Sequence, residues 1–160
     1  MEQAEVYTKT LPEKLDQIDR QILNILQEDC RLSFNKVANK AEISVGTAYN
    51  RIKSLEAKGV LKGYTARVDS TKMGYSLTAI ILLQAEGGHL TEAETAIAKA
   101  QSVIAVYDVT GDFDAVIIAK FKDQNILNTF LKHLSAIPFV KRTATNVALT
   151  MVKEDFRLKL

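Results

Sequence analysis

The sequence predicts an α+β chain built from two small domains. Three observations carry this: helical apolar periodicity as far as Gly59, a switch to two-residue alternation after Val60, and apolar segments from Thr78 onward divided by two helical stretches. A chain of 160 residues, 47% hydrophobic and 25% charged, has room for two such domains.

The first helix falls in LDQIDRQILNILQED, with Asp16 as N-cap and Asp19 three residues later, an acidic capping arrangement that also suits the helix dipole. Leu15, Ile18, Ile22, Ile25 and Leu26 form its apolar stripe. Ser33 caps a short second helix with Phe34, Val37, Ala38 and Ala41 on one side, and Ser44 caps a third. The third helix, SVGTAYNRIKSLEAKG, turns Val45, Ala48, Ile52 and Leu55 inward and stops at Gly59. Tyr64, Ala66 and Val68 then alternate, which predicts a linking strand.

Beyond the linker, TAIILLQA reads as a strand apolar on both faces, and Thr91 with Glu94 as a capping box for a helix burying Ala93, Ala96, Ile97 and Ala100. VIAVYDV and AVIIAKF are strands on either side of GDFD. Asp123 caps a helix with Ile126, Leu127, Phe130, Leu131 and Leu134 inward; Pro138 limits it, and a last strand runs from about Val140 to Val152. Two strand–helix–strand halves in succession imply a ferredoxin-like βαββαβ domain, with both helices on one face of the sheet. AIILL and AVIIA are apolar on both faces, so the uncovered face is expected to pack against a second copy of the chain. The expected division is 1–62 for the helical domain with an N-terminal extension, 63–76 for the strand linker and 77–160 for the ferredoxin-like domain.

Charge is unevenly spread. Arg31, Lys36, Lys40, Arg51, Lys53, Lys58, Lys62 and Arg67 face only Glu42 and Glu56 in the same stretch, a local excess of six in a chain whose net charge is +2. The remainder is therefore net negative, as expected of a phosphate-binding module joined to something else, although a solvated lysine-rich face gives the same count. AIILLQA is too short to cross a bilayer and the first ten residues have no signal-peptide pattern, which leads us to expect a cytoplasmic protein without a membrane partner. Cys30 has no second cysteine to pair with.

Helices two and three, joined by a very short turn, fit a helix-turn-helix of winged-helix-like type. Opposite the apolar side of helix three lie Gly46, Asn50, Lys53, Ser54 and Ala57, with Thr47 and Tyr49 flanking. Asn50 suits a bidentate contact to an adenine edge, and Lys53 suits phosphate. Arg51 sits nearer the core boundary, where it either joins this face or ties helices together. Ser33 and Ser44 at the helix starts and Lys62 beyond helix three complete the expected DNA-binding set. Catalytic chemistry is not expected: His89 and His133 lack a third partner at metal-like spacing, no HExxH, CxxC, GxSxG or phosphate-loop pattern occurs, and no cofactor is implied. The competing class is a metabolite-binding regulatory subunit of an enzyme on the same sheet, without DNA binding. The basic excess favours the DNA reader.

From Leu15 to Tyr75 the chain resembles the Lrp/AsnC regulators, the leucine-responsive or feast/famine transcription factors, in the pattern LDxxDxxIL, a short second helix, then TxxRIKxLExxGVIxGYxAxVDxxKxGY. The second half is also similar to that family's effector-binding and oligomerisation domain. The resemblance implies a nucleoid-associated role if the source is prokaryotic. It implies a homodimer, assembling further to tetramer or octamer, on pseudo-palindromic double-stranded DNA. It also implies an amino acid or related small molecule held by a Gly-x-x-Asp loop, here Gly111 to Asp114. A zwitterion needs a carboxylate for its ammonium group and N–H or hydroxyl donors for its own carboxylate. Asp114 supplies the first and the backbone around Thr110 and Gly111 the second, with Asp112 in a variable position and Thr143 and Thr145 as further partners. One departure concerns DNA: Tyr49 and Asn50 precede Arg51 where relatives often carry consecutive basic residues.

Overall fold

The computed structural model describes residues 13–160; most of the N-terminal extension lies outside them. Among the described residues the chain divides into two compact units: 13–67 together with Glu154–Leu160, and Val68–Lys153. The chain therefore passes between units twice, once more than the expected division allowed.

The first unit contains α1 (Gln17–Glu28), α2 (Phe34–Ala41) and α3 (Val45–Ala57). Each starts where a side chain satisfies otherwise unpaired helix N–H groups. At α1 the Asp16 carboxylate accepts from Asp19 N–H (2.9 Å) while Asp19 accepts from Asp16 N–H (3.3 Å), completing the expected box. Ser33 and Ser44 accept from Lys36 and Thr47 N–H at 3.4 and 3.1 Å. The α3 terminus is set by Gly59, whose φ of 68° lets Val60 N–H reach the Leu55 carbonyl and Gly59 N–H reach that of Glu56, both at 3.0 Å. Ile22, Leu23 and Leu26 of α1, Val37 and Ala41 of α2, and Ile52 and Leu55 of α3 form one buried core, flanked by half-buried Leu15, Ile18 and Ile25.

The second unit has the order β1 (Leu77–Ala85), α4 (Leu90–Ile97), β2 (Val103–Asp108), β3 (Ala115–Phe121), α5 (Gln124–Ser135) and β4 (Val140–Val147). Its four strands form one antiparallel sheet in the order β2-β3-β1-β4, the arrangement that βαββαβ connectivity produces. Ala79, Ile81 and Leu83 of β1 and Ala115, Ile117, Ala119 and Phe121 of β3 face the helices and are buried with Ile97, Leu127 and Leu134. The other face is apolar but covered incompletely: Ile80 is 38% and Tyr107 48% exposed, with Leu82, Val116 and Ile118 half-buried. Lys120 at one end of that face is buried and donates to the Ser70 hydroxyl (2.9 Å).

Several expectations are corrected. Helix α4 starts at Leu90 with His89 at its N-cap and no side-chain cap, so Thr91 and Glu94 lie inside the helix and form no capping box. The turn at Gly88, φ 87°, begins the helix two residues early, and Glu94 Oε1 is left buried without a hydrogen-bond partner. The linker 63–68 has strand-like alternation but no ladder partner among the described residues, and β4 ends at Val147, not near Val152: Val147 pairs with Ala79, Ala148 N–H donates to the Thr78 carbonyl (2.8 Å), and the chain then leaves the sheet. Ile126, expected inward on α5, is exposed, while Leu127 and Leu134 carry the burial.

Candidate functional site

Helix α3 presents one polar face because Ala48, Ile52 and Leu55 anchor the opposite one in the core. Gly46, Asn50, Lys53 and Ser54 are exposed along it, with Thr47 half-buried at its start. The Ser44 hydroxyl lies 2.8 Å from the Thr47 hydroxyl as well as accepting its N–H, so both side chains fix the helix start and offer only their remaining valences outward. Ser33 has the same role at α2. Tyr49 packs edge-on against Phe34 with ring centroids 5.2 Å apart, which bridges α2 and α3 and places its ring beside the polar face. Lys62 is exposed just past the helix.

Arg51 is turned toward α1. Its Nη1 donates to Asp16 (2.6 Å) and Asp19 (3.2 Å), tying α3 to the capping box of α1. The Asp16 carboxyl is held below its ordinary value, first by the Asp19 N–H and then by the Arg51 guanidinium. Of the two roles open to Arg51, the geometry fits the tie between helices. Lys53 is also engaged: its ammonium donates to Glu56 (2.7 Å), which also accepts from the Tyr64 hydroxyl (2.9 Å). Burial, then the bond to Glu56, pushes the Tyr64 phenol up to about 12. Glu56 entered the sequence reading only as a charge and Tyr64 only as a linker residue, although a Lys–Glu pair three apart on a helix is a readable signal.

The second candidate is the turn joining β2 to β3. Gly111 has φ 125°, a conformation that glycine alone adopts freely. Asp114 closes the turn: its N–H donates to the Leu83 carbonyl, its carbonyl accepts from Val109 N–H, and its Oδ2 accepts from Ala85 N–H at 2.8 Å. One carboxylate oxygen is thus committed to the end of β1. Thr110, Gly111 and Asp112 are exposed around it. Thr143 and Thr145 pair opposite Leu83 and Ile81, so they lie toward the helix-covered side of β4, with β1 between them and the turn's own strand. Arg142, which sequence reasoning passed over, reaches the turn instead, its guanidinium 5.4 Å from the centre of the Phe113 ring. No group of three or more His, Cys, Asp or Glu among the described residues could hold a metal ion.

A helix-turn-helix unit joined to a ferredoxin-like unit is the architecture of a transcriptional regulator with a ligand-binding domain. Residues 78–158 match the Lrp/AsnC ligand binding domain model and residues 15–62 a winged helix-turn-helix DNA-binding model. The chain is 47% identical over 146 residues to an HTH-type transcriptional regulator of Pyrococcus furiosus, covering 91% of this chain and 99% of that one. It is 34% identical to the HTH-type regulator FL11 of Pyrococcus horikoshii, covering 91% and 97%. A Neisseria meningitidis transcriptional regulator solved with L-Met superposes with a TM-score of 0.83 at 25% identity, covering 91% and 96%. The leucine response regulatory protein LrpA of Mycobacterium tuberculosis gives 0.82 at 25%, covering 91% and 100%. This chain belongs to the Lrp/AsnC family of transcriptional regulators. The relatives are named as regulators, which removes the reading as an enzyme's accessory subunit without DNA binding.

Proposed function

We propose that this regulator reads a pseudo-palindromic operator through α3 and changes its DNA binding or assembly when an amino acid or related small molecule occupies the turn at Gly111–Asp114. The observation that carries the first half is the division of α3 into a buried apolar side and an exposed face of Gly46, Thr47, Asn50, Lys53 and Ser54. Small residues at the helix start let the backbone approach base edges, and Asn50 offers both a donor and an acceptor to one base. Arg51 holds α3 in place through α1.

For the ligand, the turn offers Asp112 and the second oxygen of Asp114 to an ammonium group. Exposed backbone at Thr110 and Gly111, and the Arg142 guanidinium over Phe113, favour a carboxylate. Thr143 and Thr145 have the weaker claim, being turned toward the helix side. The apolar open face of the sheet, through Ile80, Leu82, Tyr107, Val116 and Ile118, fits a second copy of the chain, and a dimer would present two copies of α3 to half-sites about one helical turn apart. Further assembly to tetramer or octamer would let a shared ligand shift recognition-helix spacing by binding one arrangement better. Such a protein would act on DNA in the cytoplasm. Calorimetry with the twenty amino acids on the wild type and on Asp112→Ala and Asp114→Ala tests the site: at least one amino acid binds the wild type and loses affinity in a variant. Undiminished binding in both variants would remove the turn from the site.

A further inference from the structure

Residues 154–160 return to the first unit and attach to α1 in an unusual way. Gln27 Nε2 donates to the Leu158 carbonyl (2.8 Å) while Leu158 N–H donates to Gln27 Oε1 (2.7 Å). One helical turn earlier, Asn24 Nδ2 donates to the Leu160 main-chain oxygen (2.9 Å) and Leu160 N–H donates to Asn24 Oδ1 (3.2 Å). Each side-chain amide thus exchanges two hydrogen bonds with one backbone residue, as two residues do across an antiparallel ladder. The spacings match: side chains three apart on a helix stand about 5–6 Å apart, and alternate residues of an extended chain about 6.6 Å. Sequence directions are opposed, Asn24 to Leu160 and Gln27 to Leu158.

At Leu158 the contact selects main chain, not side chain: the residue is 69% exposed, so its burial does not hold the segment, whereas Leu160 is 40% exposed and lies beside Ile25. A carboxylate in place of either amide would lack the donor half of the pair. A second anchor lies upstream, where Asp155 accepts from Arg157 (2.8 Å) and Arg67 comes within 3.9 Å of it. We propose that the α1 face carrying Asn24 and Gln27 is a strand-docking site whose occupant is the chain's own Leu158–Leu160. Docking gives the helical unit a second attachment to the rest of the chain, beside the linker at Arg67–Val68, and so restricts how far that unit can move when the ligand-binding unit rearranges. The restriction rests on the function proposed above; the docking does not.

Residue-resolved hydrogen exchange on the full chain tests it without DNA or ligand, so its failure would leave the functional proposal standing. The Leu158 and Leu160 amides are expected to exchange about tenfold more slowly than in a free peptide of the same sequence. Leu158→Ala, which keeps the backbone pair, should preserve this protection at Leu160. Leu158→Pro, which lacks the N–H, and the double variant Asn24→Ala/Gln27→Ala should lose it while α1 amides stay protected. Free-peptide exchange in the wild type would overturn the proposal. Equal loss in Leu158→Ala and Leu158→Pro, or retention in the double variant, would overturn it as well.

Discussion

Replacing Asn50 with alanine separates recognition from folding. The side chain is exposed on α3, opposite Ala48, Ile52 and Leu55, which are 0–2% exposed, so the substitution opens no cavity. Asparagine also favours the helix less than alanine, by up to about 0.7 kcal/mol, so the unfolding midpoint should hold or rise slightly. DNA affinity should move the other way. A bidentate contact to one base contributes about 1–3 kcal/mol of discrimination, so operator affinity should fall roughly 5- to 150-fold. Fluorescence anisotropy against a selected operator, and against duplexes changed one base pair at a time, reads both magnitude and position. The variant should become indifferent at a single base pair per half-site. A loss below about twofold, or an equal loss on every duplex, would refute Asn50 as a base reader.

Other consequences follow from the same geometry. Glu56→Gln releases Lys53 from its ion pair and removes a negative charge beside the DNA-reading face; affinity should rise for all sequences alike, and the salt dependence should steepen by about one unit of slope. Gly111→Ala should destabilise the second unit in urea unfolding by about 1–3 kcal/mol, all of it backbone strain, because an added Cβ meets nothing within 4 Å. Burial, with Asp108 as a lesser cause, raises the Glu94 carboxyl above its ordinary value. The folded state therefore holds the proton more tightly than the unfolded one, and stability falls as pH rises from 4.5 through the folded value. Glu94→Gln should be more stable than wild type at pH 7, with the advantage gone below pH 4.5 in thermal melts. The Asp16 carboxyl shifts the opposite way, so its contribution is present above the ordinary value of 3.8 and disappears as pH falls through the lower folded value.

Local chemistry made much of this fold legible in sequence. Asp16, Ser33, Ser44 and Asp123 each cap the helix they were expected to, because an N-cap needs only a side chain and backbone three residues away. Thr91 and Glu94 show the limit: the pattern is right for a box, but Gly88 starts the helix earlier and leaves the motif inside it. The docked segment 158–160 was hidden for a different reason. Its partners are side-chain amides more than 130 residues away, and no periodicity records such a pairing. At the β2–β3 turn, Gly111 announced its backbone freedom, whereas the internal bond of Asp114 and the reach of Arg142 depend on strand register. For α3, periodicity separated its core side from its exposed polar side, but only the tertiary fold showed Arg51 and Lys53 already paired.

The central claim is that one chain reads DNA with α3 and answers to an amino acid through its second unit. Titration against DNA fragments selected by the protein itself, with and without each of the twenty amino acids, and with assembly followed by light scattering, tests it most directly. The account predicts salt-dependent, sequence-selective binding by a dimer or larger assembly, and at least one amino acid that changes affinity or assembly size. Selective binding that no amino acid alters, or a chain that remains a monomer at micromolar concentration, would contradict it.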